Sequence, residues 1–381
     1  MQTIQIADGC SQVTSGATPS RKKPEYFIGD IPWLKTKELN DALIGATEEH
    51  ISESALAETS CKLIPAGAVV MAMYGATVGK LGILGTPMTT NQACCAMIAD
   101  EVSLHSQYLF YWLLQNRQSV INLSNGAAQQ NLSVRSIKNI ALKIPMLEKQ
   151  IRTAYVLKSL DDKIAANSRI IKIATHLNIN LVEKAVTKEL EPLQNLADIT
   201  MGSSPKGEFL NEEGIGEPFF QGVRDFGELF PSERVFAEKA VRTAQEGDIL
   251  FAVRAPIGEV NIAERPCVIG RGIAAIRGKQ SHLGLFYLLK GHPELWETYQ
   301  SSGTVFAGIN KSDLHNAVIP VLRDSEKLEQ QLTPIHERAM HALRENQVLA
   351  RTRDELLPLL MSGRITVGEA EDVAGTAASE S

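Results

Sequence analysis

The chain is written twice. NIALKIPMLEKQ (139–150) is echoed by HNAVIPVLRDSEKLEQQ (315–331), each an apolar, strand-like run with a proline that opens a long helical pattern. The echo extends further. SGATPSRKKPEYFIGDIPWLKTKEL (15–39) aligns with MGSSPKGEFLNEEGIGEPFFQGVRDF (201–226), so that Gly16/Gly202, Pro19/Pro205 and Pro32/Pro218 share a spacing of 186. IPAGAVVMAMYGATVGKLGI (64–83) aligns with AQEGDILFAVRAPIGEVNI (244–262), LFYWLL (109–114) with LFYLLK (285–290), and NGAAQQNLS (125–133) with SGTVFAGINKS (302–312). Solenoid units run from about 20 to 50 residues. A period near 180 in a 381-residue chain is that of two tandem domains.

Within each half, short apolar runs such as AVVMAMY (68–74) and DILFAVR (248–254) are broken by Gly and Pro turns and read as strands. One helix is expected over about 104–123 and its counterpart over about 283–299, and long helices follow over about 148–186 and 325–361. The expected division is a first globular domain (1–145), a central long helix (146–190), a second globular domain (191–321), a distal long helix (322–364) and a disordered acidic tail (365–381). In the second long helix Leu332, Ile335, Ala339, Ala342, Asn346, Leu349, Arg353, Leu356 and Leu360 alternate by three and four, a coiled-coil seam. Subtracting 179 carries it to Thr153, Val156, Leu160, Lys163, Asn167, Ile170, Ala174, Leu177 and Leu181 in the first. The helices are therefore expected to pair antiparallel, through Leu160, Asn167, Ile170 and Leu177 against Ala339, Asn346, Leu349 and Leu356. Asn167 and Asn346, each near a helix midpoint, are expected to meet and fix the register.

Composition places the chain among soluble globular proteins, at 44% hydrophobic and 22% charged residues, and the five scattered cysteines suit a reducing cytoplasm. No cysteine or histidine pair has zinc-ligand spacing, and neither a triphosphate-binding loop nor a dinucleotide fingerprint is present. No methyltransferase motif is found. The chain reads as non-catalytic, with no metal or cofactor of its own. Net charge is −6, and residues 191–321 carry 12 cations against 17 carboxylates.

What remains are polar, glycine-bearing loops at matching places in both halves. Thr18, Ser20, Arg21, Lys22 and Lys23 suit phosphate oxygens. Lys35 and Lys37 in one half, and Gln221 and Arg224 in the other, follow aromatic residues, and Arg or Gln there can read base edges. Tyr74 and Lys80, with Arg254, sit on hairpin-like turns. Gln129 and Gln130, Lys206, Arg271 and Lys311 complete the candidate DNA-contacting set.

The order G-x-T-P-S, I-P-W-L-K, a glycine-led strand, N-L-S, I-P, L-E-x-Q and L-D-D-K-I resembles the specificity subunit of type I restriction-modification systems, over about residues 1–364. The resemblance implies an α+β, pseudo-twofold fold: two mixed α/β target-recognition domains held apart by two antiparallel helices. It implies a non-enzymatic subunit that reads a split site on double-stranded DNA, one half-site per domain. Two methyltransferase subunits would dock on the helices and restriction/translocase subunits would join the complex, with S-adenosylmethionine, ATP and Mg on those partners. A fused restriction/methylation enzyme and a coiled-coil adaptor that does not touch DNA are the alternatives. Two features depart from the family pattern. Thr333-Pro334 stands where the first half has Ala154-Tyr155, so the second helix is expected to start or kink at Pro334. The acidic second domain weighs against strong DNA binding without the methyltransferase.

Overall fold

Strand pairing repeats along the chain as the sequence does. In the first half the sheet order is Cys10–Ser15, Cys94–Ala99, Val69–Ala72, Leu81–Leu84, Ala42–Ile44; in the second it is Ala197–Met201, Ile273–Gly278, Ile249–Ala252, Val260–Ile262. Registers match as well. Val69 pairs with Met97 as Ile249 pairs with Ile276, and Trp33 lies parallel to Thr89 as Phe219 does to Val268. The computed structural model describes residues 1–123, 131–300 and 308–379. It divides into two units, Met1–Ala166 with Glu345–Ser381, and Asn167–Arg344. No helix among the described residues is long and apolar enough to cross a membrane.

Each central strand is buried on both faces. In the first unit Val69 and Met71 join one core with Leu109, Phe110, Leu113, Leu157 and Leu160, while Val70 and Ala72 join another with Leu34, Leu39 and Ile44. The alternation follows from successive side chains pointing to opposite faces of a strand. Ile249 and Phe251 against Leu250 repeat it in the second unit. Cys94, Cys95 and Cys267 are free and buried, and desolvation pushes their thiols up to about 12, so they pack as small apolar groups.

The long helices span Leu147–Ala185 and Ser325–Ser362. The second starts nine residues before Pro334 and runs through it. Thr333 Oγ1 donates to the Glu329 carbonyl one turn back, and Pro334 itself faces solvent. In the first unit Arg353 pairs with Asp161 at 2.7 Å, Lys163 with Glu345 at 3.2 Å, and Asn346 Nδ2 donates to the Ile164 carbonyl at 3.3 Å. In the second, Asn178 Nδ2 donates to the Leu332 carbonyl at 3.4 Å. As one residue number rises the other falls, so the helices run antiparallel.

The seam corrects the expectation on the first helix. Leu160 and Asn167 are buried, but Ile170 is only half-buried and Leu177 is 45% exposed; Ile171, Ala174, Asn178 and Val182 take the buried line. On the second helix Ala339, Leu349 and Leu356 are buried and Asn346 is half-buried. The reason lies beyond the helices. Leu356 and Leu360 share a core with Ala370 of a third helix, Val367–Ser379, whereas the first long helix is followed directly by strand Val186–Pro192. That third helix also overturns the expected disordered tail. Thr366 Oγ1 accepts from Glu369 N while the Glu369 carboxylate accepts from Thr366 N, a reciprocal capping box, and Ala370 is fully buried.

One side chain at the base of each long helix ties it to its unit. Gln150 Oε1 accepts from His105 N at 3.0 Å, and its Nε2 donates to the Ser103 and Pro145 carbonyls at 2.9 and 3.0 Å. Glu329, 179 residues on, accepts from Ser281 Oγ at 2.6 Å and from Leu283 N at 3.1 Å. Both thereby cap the short helices Ser106–Gln115 and His282–Gly291, whose first N–H groups have no partner within the helix. Tyr111 and Tyr287, on those same helices, bond Asp161 at 2.6 Å and His336 at 2.9 Å on the long ones. Gln150→Ala leaves a buried N–H and two carbonyls unsatisfied. It is expected to lower unfolding free energy by about 1–3 kcal/mol in denaturant titration, and Glu329→Ala by at least as much, since a charged acceptor is lost.

Candidate nucleic-acid interface

Four polar loops meet at one end of the sheets in each unit, held by backbone hydrogen bonds that recur bond for bond. Met73 N donates to Ala93 O at 2.8 Å as Val253 N does to Gly272 O at 2.9 Å. Asn91 N to Leu34 O matches Gly270 N to Phe220 O, and Ala17 N to Thr90 O matches Ser203 N to Ile269 O, each at 2.9 Å. Gly16 N to Cys94 O and Gly202 N to Ile273 O form the fourth pair, and Leu132 N to Met73 O and Ile309 N to Val253 O the fifth. Chain crossings this tight exclude side chains. A Cβ on Gly16 would collide with the Thr90 carbonyl, and one on Gly202 with the Gly270 carbonyl.

Most candidates from the sequence lie on or beside these loops: Thr18, Ser20, Arg21 and Lys22 on the first, Lys35 and Lys37 on the second, and Tyr74 on the third. In the second unit Lys206, Gln221, Arg224, Arg254 and Arg271 take the corresponding places, and Lys311 opens the helix Lys311–Asn316 two residues after Ile309. Gln129 and Gln130 fall outside the described residues. Lys23 and Lys80 are tied into structural contacts. Lys23 Nζ bonds Tyr26 and Glu58, and Lys80 pairs with Asp41, which Arg117 also holds.

In the first unit's cluster most of the cations are paired internally. Arg21 lies 4.0 Å over the Phe27 ring and pairs with Glu49 at 2.7 Å. Lys35, only 15% exposed, bonds Glu49 at 2.6 Å and Glu48 at 3.3 Å, and Lys37 pairs with Glu48 at 2.5 Å. Arg21 and then Lys35 hold the Glu49 carboxyl down at about 2, so it stays charged. Glu38 ties the loops together by accepting from Lys35 N and Glu48 N. Lys22 is exposed and forms no ion pair among the described residues.

The second unit differs. Ser204 Oγ donates to Gln221 Oε1 at 2.8 Å and accepts from Arg271 N at 3.2 Å, locking the turn Gly270–Arg271–Gly272. The side chains of Arg224, Arg254 and Arg271 are exposed and form no ion pair among the described residues. Two residues of the cluster were missed from sequence, Gln92 and Ser204. Thr18 Oγ1 donates to Gln92 Oε1, and carrying the repeat one loop further would have set Gln92 opposite Arg271 at the spacing of 179 and Ser204 opposite Thr18 at 186. Among the described residues no group of three His, Cys, Asp or Glu is placed to hold a metal.

A protein-family model described as "Type I restriction modification DNA specificity domain" matches residues 1–175 and again 187–331. The type I restriction enzyme MjaIX specificity subunit of Methanocaldococcus jannaschii is 26% identical over 406 aligned positions, covering 94% of this chain and 92% of its own. The putative MjaX specificity subunit of the same organism is 28% identical over 299, with 70% of each chain covered. Among solved structures, the S subunit of a type I restriction-modification system from M. genitalium superimposes with a TM-score of 0.64 at 15% identity, over 94% of this chain and 95% of that one.

Gly202→Ala is expected to destabilise the second unit by about 1–3 kcal/mol, the usual cost of overpacking. Gly207→Ala, with open space around its Cβ position, is expected to be neutral in the same denaturant melt.

Proposed function

The chain belongs to the family of type I restriction-modification specificity subunits and carries its DNA specificity domain twice, and on that premise we propose that each unit reads one half of a split DNA site. The observation that carries the proposal is the loop cluster, built twice on one set of backbone hydrogen bonds but furnished with different side chains. A common scaffold with unlike surfaces suits two unlike half-sites. Phosphate contacts would set each loop cluster on the duplex and base-edge contacts would give it sequence. The relatives are named as specificity subunits of restriction enzymes. Methylation and cleavage would accordingly belong to partners, with methyltransferase subunits docked on the long helices and S-adenosylmethionine, ATP and Mg bound by those partners and by the translocating restriction subunits.

A 39-residue helix is about 58 Å long at about 1.5 Å per residue, which would make the helix pair a spacer that sets the unread gap. Inserting one turn of four residues between Ala166 and Asn167, with four more between Arg344 and Glu345, adds about 6 Å, or roughly two base pairs. Genome-wide mapping of methylated bases is expected to show a gap lengthened by that amount between two unchanged half-sites. An unchanged gap contradicts the spacer role, and methylation or cleavage by the purified chain alone would favour the fused-enzyme reading.

Asn167 and Asn346 are proposed as the polar pair that fixes helix register. Changing both to leucine is expected to raise the melting temperature while broadening the methylated gap to more than one length. A single unchanged gap would assign the asparagines a local role only.

A further inference from the structure

By count of charges, residues 191–321 are the acidic recognition domain, with 12 cations against 17 carboxylates, yet among the described residues their loop cluster carries three arginines outside any ion pair, where the first unit's loops carry Lys22. Asp225, the carboxylate next to Arg224, is committed to Arg234 at 3.0 Å, while Asp248 with Arg277 and Glu264 with Arg344, each at 2.6 Å, pair at the opposite end of strands Ile249–Ala252 and Ile273–Gly278. Asp225 directly follows Arg224 in sequence, but it is nearly buried and turned to Arg234. Arg271 is pinned at its backbone between Gly270 and Gly272, where a Cβ on either would strike Gln221. Arg254 follows Val253, whose N–H holds the Gly272 carbonyl, and Arg224 lies two residues beyond Gly222, which packs against Gly272. The three guanidinium groups are therefore carried by fixed backbone at one loop cluster.

The first unit is the converse. Arg21, Lys35 and Lys37 already share Glu48 and Glu49, and a phosphate could recruit them only by displacing carboxylates that would remain beside it. Salt-dependent DNA affinity comes from cations that release counterions from phosphate, at a slope of about 0.9 in log K per log salt for each phosphate neutralised. Cations neutralised within the protein add little to that slope.

We propose that the second unit is the electrostatic anchor of this chain on DNA. Arg224, Arg254 and Arg271 take backbone phosphates, while the first unit's loops contribute hydrogen bonds, shape and one unpaired cation, Lys22. The inference rests on the DNA-reading role proposed above. It is tested on the full chain assembled with its methyltransferase subunits, by measuring the affinity for a duplex carrying its methylated site, and for an unrelated duplex, from 50 to 300 mM salt. R224A/R254A/R271A is expected to reduce the salt slope by about 2–3, and R271A alone by about 0.9, whereas R21A/K37A reduces it by less than about 1. E48Q/E49Q, which frees the first unit's cations, is expected to steepen the slope by about 1–2. A slope unchanged by the triple arginine substitution, with the melting temperature retained, overturns the proposal, as does an equal or larger loss from R21A/K37A. Should the triple variant fail to fold, R271A and E48Q/E49Q decide the matter, and both slopes unmoved is the negative result. If the unsubstituted complex binds the two duplexes equally, the DNA-reading role itself fails, which is a separate outcome.

Discussion

Gln150 and Glu329 fasten each unit to its long helix, and the remaining structure depends on that joint. Each sits in the first turns of a long helix and reaches back to cap a short helix of its own unit. A helix start has donors that nothing within the helix satisfies, so the cap is strong and directional. The joint is braced by an antiparallel strand pair immediately before each long helix: Gln2–Gln5 with Ala141–Ile144 in one unit, and Val186–Pro192 with Val318–Leu322 in the other. Tyr111 and Tyr287 add a bond further along each helix. With three attachments, a unit cannot swivel on its helix without breaking buried hydrogen bonds. The proposed spacer role needs this stiffness.

The loop clusters show why a charge count misleads at a binding surface. Seventeen carboxylates in the second recognition domain look prohibitive for nucleic acid, but several are bound to arginines away from the loops. The balanced first domain places its carboxylates among the cations expected to meet DNA. Net charge governs long-range steering; contact depends on which cations remain unpaired, and pairing is a matter of position.

Much of the fold was legible because the chain states it twice. Aligned glycines and prolines located the turns, and the alternation of apolar residues located the central strands. The direction and extent of the long helices were also readable, except at Pro334, whose cost the second helix absorbs while running on from Ser325. The tail misled because its Ala, Glu and Gly content resembles a disordered segment, although Thr366-Val-Gly-Glu369 is a legible helix start. The seam of the first helix slipped near Leu177 because burial there depends on what covers the helix, and the second long helix is followed by helix Val367–Ser379, the first by strand Val186–Pro192.

Of the candidate site, the sequence determined the inventory: which loops exist, that they recur, and which polar residues each carries. It did so because turns demand particular residues locally. Tertiary structure alone decided which candidates remain available. Lys35 and Arg271 are equally cationic on paper, but Lys35 is closed in by two glutamates more than ten residues away, whereas Arg271 is exposed and in no ion pair among the described residues. Charges interact through space over a few ångströms, and only the fold sets those distances.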